Sequence, residues 1–528
     1  LHNAVPLTQT GTLSVGGTSN FEMSGHDLTL TNAANTFGGA VTVNAANVAL
    51  TSSGALSLQG TVSGGLNAST AGAITQSKAL SVNGKSIFDS SSSPVALTNA
   101  GNDFGGTVSL SGGSTQISDS NALALGTVAT GDLTVTSKGA LSLGSGVVNG
   151  KLTAVSNGSD VSQAGSITVA GNASINAGAG AITLSDAGND FQGAVSLIGT
   201  TARVRNSRDL TLGAVTVTKG LTLNVNGTAS TTQALTAGTV AVDAGTLRVA
   251  HEVTTNAVQV GNGAAITGTG AISGAVNVTS GGTLSGTAGS TLTMGALTLD
   301  SGATVDVTLG APGGAGLFNT SALTLDGTLD VHDIGGFGAG VYRLFDYTGP
   351  LTDHGLDIGS APANGVLGLQ TAVAGQVNLV NVAGQPLVFW DGDAAGTANN
   401  NVVNGGGGTW TATSANWTTA GGSLNASITP TPGFAIFQAA PGTVAVSDAQ
   451  GPIAVTGMQF ASDGYRLEGD AIALSGANAI VRVGDGSAAS AGYTATIANN
   501  LTGSARLEKT DAGTLVLSGA NSYTGGTL

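Results

Sequence analysis

The chain has 528 residues, a formal net charge of −15 and only 8 % charged residues. This acidic, charge-poor composition disfavours nucleic acid or an anionic membrane as a partner, and no apolar run is long enough for a transmembrane helix. The chain contains 86 glycines, no cysteine and 4 % aromatic residues, yet 41 % of it is apolar, which excludes a disulfide framework, a disordered linker and an ordinary compact globule.

One sequence unit recurs in the first 200 residues, as residues 30–43, 97–110 and 184–197. In each copy an apolar strand end leads into an Asn, then an aromatic residue two places later, a Gly-containing step and an alternating strand. The Phe-to-Phe steps are 67 and 87 residues, which fit three and four coils of about 22 residues each. We therefore expect the same positions of each copy to occupy equivalent corners of a solenoid, with the aromatic side chains largely buried: Asn35, Asn102 and Asn189; Phe37, Phe104 and Phe191.

Up to about residue 310 a pentapeptide Gly-Ala-apolar-Ser/Thr-apolar keeps recurring, for example at Gly54–Leu58 and Gly139–Leu143. Its period of two is that of a strand with one buried face. Hairpin meanders could also give evenly spaced short strands. The small side chains and the 20-odd residue register favour parallel stacking, and we predict an all-β, right-handed parallel β-helix.

Composition changes near residue 311. Eight of the ten prolines lie at or after Pro312, and all five Tyr and all three Trp lie at or after Tyr342. We therefore predict three sections: regular β-helix repeats over 1–310, an aromatic-reinforced section with longer loops over 311–433, and a terminal β-helix segment over 434–528.

The segment 506–527 reads Arg-Leu-Glu-Lys-Thr-Asp-Ala-Gly-Thr-Leu-Val-Leu-Ser-Gly-Ala-Asn-Ser-Tyr-Thr-Gly-Gly-Thr. It resembles the passenger-associated repeat of bacterial autotransporters, and the upstream Asn-x-Phe units resemble repeats of haemagglutinin-like exoproteins. The resemblance implies a β-helical passenger that is exported through the outer membrane by a C-terminal β-barrel, the route of type V secretion. Because the chain has neither signal peptide nor barrel, we expect it to be part of a longer protein.

The resemblance also implies a function. We expect a virulence-associated adhesin or structural rod at the bacterial cell surface or outside the cell. Its partners would be host surface or matrix molecules, or neighbouring bacterial cells. The alternative is a β-helix enzyme that cleaves polysaccharide, which needs several carboxylates with Arg or Lys in one groove. We expect no enzyme activity, no cofactor and no catalytic, cofactor-binding or metal-binding residues.

Four groups of residues could still support chemistry. Asp330 and His332 share one strand face, near Asp326 and Asp333, and could hold a metal or activate water; a solvated strand end is the simpler interpretation. Asp391-Gly392-Asp393 could ligate calcium, or form a turn. Arg203, Arg205 and Arg208 could grip an anion, or lie salt-bridged on a solvent face. Trp390, Trp410 and Trp417 could stack on sugar rings, or fill the core.

Overall fold

The structure is a computed structural model that describes residues 1–310, 315–338, 340–363, 367–381, 387–428 and 431–528, without the side chains of residues 387 and 388. The chain forms two compact units: residues 1–266 with 272–274, and residues 267–271 with 275–528. Residues 311–314, where the predicted boundary between the first two sections falls, lie outside the described residues. The three-section division stays a prediction.

The described residues form strands and turns, with one 3-10 turn at Ala488–Gly492. None of their helices has the length and apolar character needed to span a membrane. The strands that begin before residue 270 are Leu7–Thr8, Ser14–Val15, Ser19–Glu22, Leu28–Leu30, Thr36–Phe37, Ala40–Ala45, Val48–Ser52, Leu56–Val62, Leu66–Thr70, Ile74–Val82, Ser86–Asp89, Val95–Leu97, Asp103–Phe104, Val108–Ser111, Thr115–Asp119, Leu123–Thr130, Leu133–Ser137, Leu141–Ser142, Ser145–Val148, Leu152–Val155, Val161–Ser162, Ile167–Val169, Ala173–Asn176, Ile182–Leu184, Asp190–Phe191, Val195–Asn206, Leu210–Thr231, Leu235–Val249, Val253–Thr254, Ala257–Val260 and Ala264–Gly268.

The later strands belong to the second unit. They are Ala275–Val278, Thr283–Thr287, Leu292–Leu299, Thr304–Leu309, Phe318–Leu325, Thr328–Asp333, Gly340–Tyr347, Leu351–Asp353, Asp357–Ile358, Leu367–Gln370, Gln376–Asn381, Leu387–Trp390, Gly408–Trp410, Trp417–Thr418, Asn425–Ala426, Gly433–Phe437, Thr443–Val446, Ile453–Phe460, Arg466–Gly469, Ile472–Leu474, Asn478–Val483, Thr494–Ile497, Leu501–Gly503, Arg506–Thr510 and Thr514–Leu517.

Strands form because apolar residues alternate with small polar ones. In Ala40–Ala45, for example, Val41 and Val43 are buried while Thr42 between them is half-exposed. A strand buries one face when its side chains alternate with a period of two. The interior is therefore a narrow stack of Val, Leu, Ile and Ala side chains rather than a wide core.

Successive coils pair in parallel. Val41 pairs with Leu58, 17 residues later, whereas Ser19 pairs with Val41, 22 residues later. The strand pairs described between residues 7 and 260 share this parallel direction. The predicted parallel β-solenoid is confirmed, with the expected 22 residues at the upper end of the coil lengths.

The three repeated asparagines occupy equivalent corners, as predicted. All three are fully buried. Asn102 exchanges two side-chain hydrogen bonds of 2.7 and 2.8 Å with Gln76, and its Oδ1 also accepts the Leu80 N–H at 3.0 Å. Its Nδ2 donates to the Leu97 carbonyl at 3.0 Å, so the buried amide is satisfied on both sides. The same Gln–Asn pair is found at the other two corners: Gln9–Asn35 and Gln163–Asn189.

The aromatic positions are also equivalent and buried, which confirms the second part of the expectation. Phe37, Phe104 and Phe191 are 6, 1 and 1 % exposed. A glycine follows because the coils touch there: a Cβ on Gly106 would lie 2.4 Å from the Gly84 carbonyl group of the preceding coil. The glycine step of the repeat thus permits close backbone approach.

The second unit adds antiparallel pairing that the sequence did not indicate. Gly340–Tyr347 and Leu367–Gln370 both pair antiparallel with Gln376–Asn381. Parallel coils resume later, where Ile453–Phe460 pairs with Asn478–Val483.

The buried Phe gives the first test. Phe104→Ala removes a ring that is 1 % exposed and lies 6.0 Å from the Phe88 ring, so we expect a loss of about 3–5 kcal/mol in unfolding free energy. Because coils contact mainly their neighbours, hydrogen exchange should rise around residues 80–130 and stay unchanged beyond residue 430. Phe191→Ala is the matched variant, and its effect should move to about residues 165–215. Equal loss of protection along the whole chain in both variants would contradict this expectation.

Candidate functional site

The three tryptophans form the core of the second unit. Trp390, Trp410 and Trp417 are at most 1 % exposed, and the Trp410 and Trp417 ring centres lie 4.8 Å apart. Phe437 packs edge-on against Trp417 at 5.6 Å and stacks on Phe460 at 5.1 Å. The core interpretation therefore holds, and the sugar-stacking alternative is wrong because these rings have no open face.

The aspartates predicted as a possible calcium site hold a loop together. Asp391 is fully buried, and its Oδ1 accepts hydrogen bonds from the Asn404 backbone and side-chain nitrogens at 2.5 and 3.1 Å. Its Oδ2 accepts from Asn425 Nδ2 at 2.8 Å, while Asp393 accepts from the Thr409 N–H at 3.2 Å. Across the part of the chain that the structure describes, no three His, Asp or Glu side chains lie close enough to hold a metal ion.

The candidate acid–base residues contact neighbouring coils rather than each other. His332 Nε2 lies 3.0 Å from Asp306 Oδ1 on the preceding coil. Asp330 accepts hydrogen bonds of 2.6 and 2.9 Å from the Ser360 backbone N–H and hydroxyl. The other two acids accept backbone N–H groups in turns: Asp326 from Gly327, Asp333 from Gly335.

The arginine cluster is divided between carboxylates. Arg203 lies 3.3 Å from Asp243, and Arg208 lies 2.9 Å from Asp190. Arg205 is half-exposed beside them. Two of the three positive charges are therefore compensated, which favours the salt-bridged solvent face over a site for anions.

A buried ionic cluster in the second unit was not predicted. Arg343 Nη2 donates to Asp485 Oδ2 at 2.9 Å, and Arg482 Nε donates to Asp511 Oδ2 at 3.1 Å. Arg482 and Asp511 have side chains only 0 and 1 % exposed. No local pattern indicates the first pair, because its members are 142 positions apart in the chain. The only sequence signal is an arginine inside an apolar strand.

Arg482 also fixes the start of the antiparallel hairpin. Its Nη2 donates to the Val341 carbonyl at 3.2 Å, and its guanidinium lies 5.8 Å from the centre of the Tyr342 ring. Gly340 has φ +137°, and a Cβ there would lie 1.7 Å from Arg482 Nη1. The cluster therefore holds the hairpin against the coil formed by Asn478–Val483.

The same burial shifts pKa values. Desolvation raises the pKa of Tyr342 to about 12. Burial alone would raise the pKa of Asp485, but the Ser487 hydroxyl and backbone N–H, the Arg343 charge and the Tyr493 hydroxyl outweigh it and lower that pKa. Asp485 is therefore ionised at neutral pH.

The first unit presents ladders of small polar side chains outward. Thr134, Thr153 and Ser174 lie at paired positions on three successive coils. We name this row the hydroxyl ladder. Its residues are half-exposed or exposed, whereas the paired residues just before them in the chain are buried: Leu133, Leu152 and Ala173.

Because its folded-state pKa is lowered, Asp485 stabilises the fold above its ordinary pKa of 3.8, and this contribution is lost as pH falls through the lower folded value. Asp485→Asn should cost about 3–5 kcal/mol at pH 7, since Arg343 loses a buried partner. The gap between Asp485→Asn and the unaltered chain should narrow below about pH 4.

Denaturant titrations from pH 7 to pH 2 measure that gap. Asp448→Asn, at an exposed position, is the control and should show no comparable pH-dependent gap. A gap for Asp485→Asn that stays constant from pH 7 to pH 2 would contradict the ion-pair account.

Comparison with known proteins adds three findings. Residues 1–44, 45–111 and 130–198 match a family described as "Repeats of unknown function (DUF5649)". Residues 507–528 match the passenger-associated-transport-repeat. The chain is 48 % identical over 263 residues to "Adhesin BmaC autotransporter" of Brucella suis biovar 1 (strain 1330). That alignment covers 48 % of this chain and 8 % of the relative, so the chain spans less than a tenth of the relative's length. No solved structure matches the chain.

Proposed function

Starting from these matches, which confirm the predicted likeness to autotransporter passengers, we propose that the chain is an adhesive segment of such a passenger. It acts at the bacterial cell surface or outside the cell. Its partners are host surface or matrix molecules, or neighbouring bacterial cells. Its role is attachment and not catalysis.

The observation that supports this proposal is the repetition of the outward surface. The hydroxyl ladder repeats a small polar side chain at the strand spacing of about 4.8 Å. Many weak, identical contacts along such a surface can add up to firm attachment without a deep site. The relative's name, an adhesin, supports the same role.

The candidate residues for polysaccharide cleavage do not favour the alternative. Asp330 is hydrogen-bonded to Ser360, and His332 is paired with Asp306. A retaining or inverting glycosidase needs two carboxyl groups that face one bond of the substrate. These residues are each engaged with a neighbouring coil instead.

Export of the chain belongs to the proposal as well. The resemblance implies an outer-membrane barrel in the full-length protein. A chain without cysteine and with contacts mainly between successive coils can cross a narrow pore unfolded and then add coils one at a time.

Attachment can be measured with purified chain coupled to fluorescent beads. We expect saturable attachment to cultured epithelial cells, or to bacterial cells that do not otherwise aggregate, and competition by free soluble chain. Beads coated with chain unfolded in guanidinium are the control, because they carry the same composition without the ladders. Attachment to neither cell type above this control would contradict the proposal.

A further inference from the structure

The second unit contains a cavity of about 210 Å³ beside the antiparallel hairpin. It lies where the hairpin strands Gly340–Tyr347 and Gln376–Asn381 meet loops of three later coils. Six polar side chains line it: Arg343, Gln376, Asn378, Gln438, Asp485 and Tyr493. The volume is below the roughly 300–1,000 Å³ of pockets for drug-sized ligands, so it suits one small ring rather than a chain of them.

The charges in this cavity are already compensated. Arg343 donates to Asn378 Oδ1 at 3.1 Å, to Asp485 Oδ2 at 2.9 Å and to Asp346 Oδ1 at 2.5 Å. One guanidinium therefore faces two carboxylates. A second anion would meet no uncompensated positive charge here, so the cavity favours a neutral ligand.

One buried amide in the lining lacks a partner. Gln438 is 4 % exposed, and its Nε2 has no hydrogen-bond partner among the described residues. Leaving a buried donor unpaired costs free energy, which a ligand hydroxyl or carbonyl would recover. Tyr493 donates its proton to Asp485 Oδ2 at 3.1 Å, so its oxygen is left to accept a hydrogen bond.

The remaining lining is apolar, from Val341, Val373, Ala439 and Ala461. A small ligand that is neutral, offers hydroxyl groups to several polar atoms and presents C–H groups to an apolar wall is a pyranose sugar. We propose that this cavity binds a single neutral sugar ring, the terminal unit of a glycan on the surface to which the protein attaches. This inference rests on the proposed adhesive function and names its ligand class.

The test is a titration of the full chain with methyl glycosides of neutral hexoses and N-acetylhexosamines, followed by calorimetry and ligand-observed NMR. Sialic acid and glucuronic acid serve as charged probes. We expect binding of at least one neutral glycoside at millimolar or lower concentration, and none of the acidic sugars.

Gln438→Leu is the decisive variant. It removes the unpartnered amide at similar volume, so the unfolding midpoint should stay the same or rise, while sugar affinity falls about tenfold. Tyr493→Phe should also weaken binding. Gln116→Leu, at an exposed strand position of the first unit, is the matched control and should leave sugar binding unchanged.

Three results would overturn the inference: no binding of any neutral glycoside, tighter binding of an acidic sugar, or neutral-sugar binding that Gln438→Leu leaves unaltered. The bead assay separates this inference from the proposed function. Attachment that persists without sugar binding would refute only the sugar site, whereas loss of attachment with intact sugar binding would refute only the adhesive role.

Discussion

Parallel hydrogen bonding between successive coils sets the spacing at which everything else must fit. Strands held about 4.8 Å apart leave no room for bulky groups where two backbones touch, which is why Gly106 lies directly on Gly84. The same spacing places like residues above one another. At the corners this becomes an advantage, because Asn102 and Gln76 satisfy each other's amides inside the stack.

The second unit is stabilised differently. Its core contains three buried tryptophans with Phe437 and Phe460, and each aromatic ring buries far more apolar area than the Val and Ala side chains of the first unit. Its hairpin is held by Arg343 and Arg482 through buried carboxylates. A buried ion pair adds little net stability but is costly to break, so this cluster fixes one arrangement of the hairpin.

Much of the first unit could be predicted because its information is local and repeated. The spacing of Phe37, Phe104 and Phe191 predicts both the coils and the equivalent corners. The partner of each corner Asn was missed, since a glutamine 26 residues earlier belongs to another coil and resembles an ordinary surface residue. The antiparallel hairpin and its ion pairs were missed for a stronger reason: contacts such as Arg343–Asp485 span the chain and leave no periodic trace. The cavity beside them depends on the same long-range contacts.

The central claim is that stability is local to neighbouring coils and greatest around the buried aromatic cluster. Native-state hydrogen exchange of the full chain, followed through a denaturant series, measures the free energy of opening segment by segment. The account predicts separate openings, with the highest values in strands between residues 433 and 510 and lower values in the coils before residue 200. A single opening free energy shared by all amides, or higher values in the first unit than around the tryptophans, would contradict it.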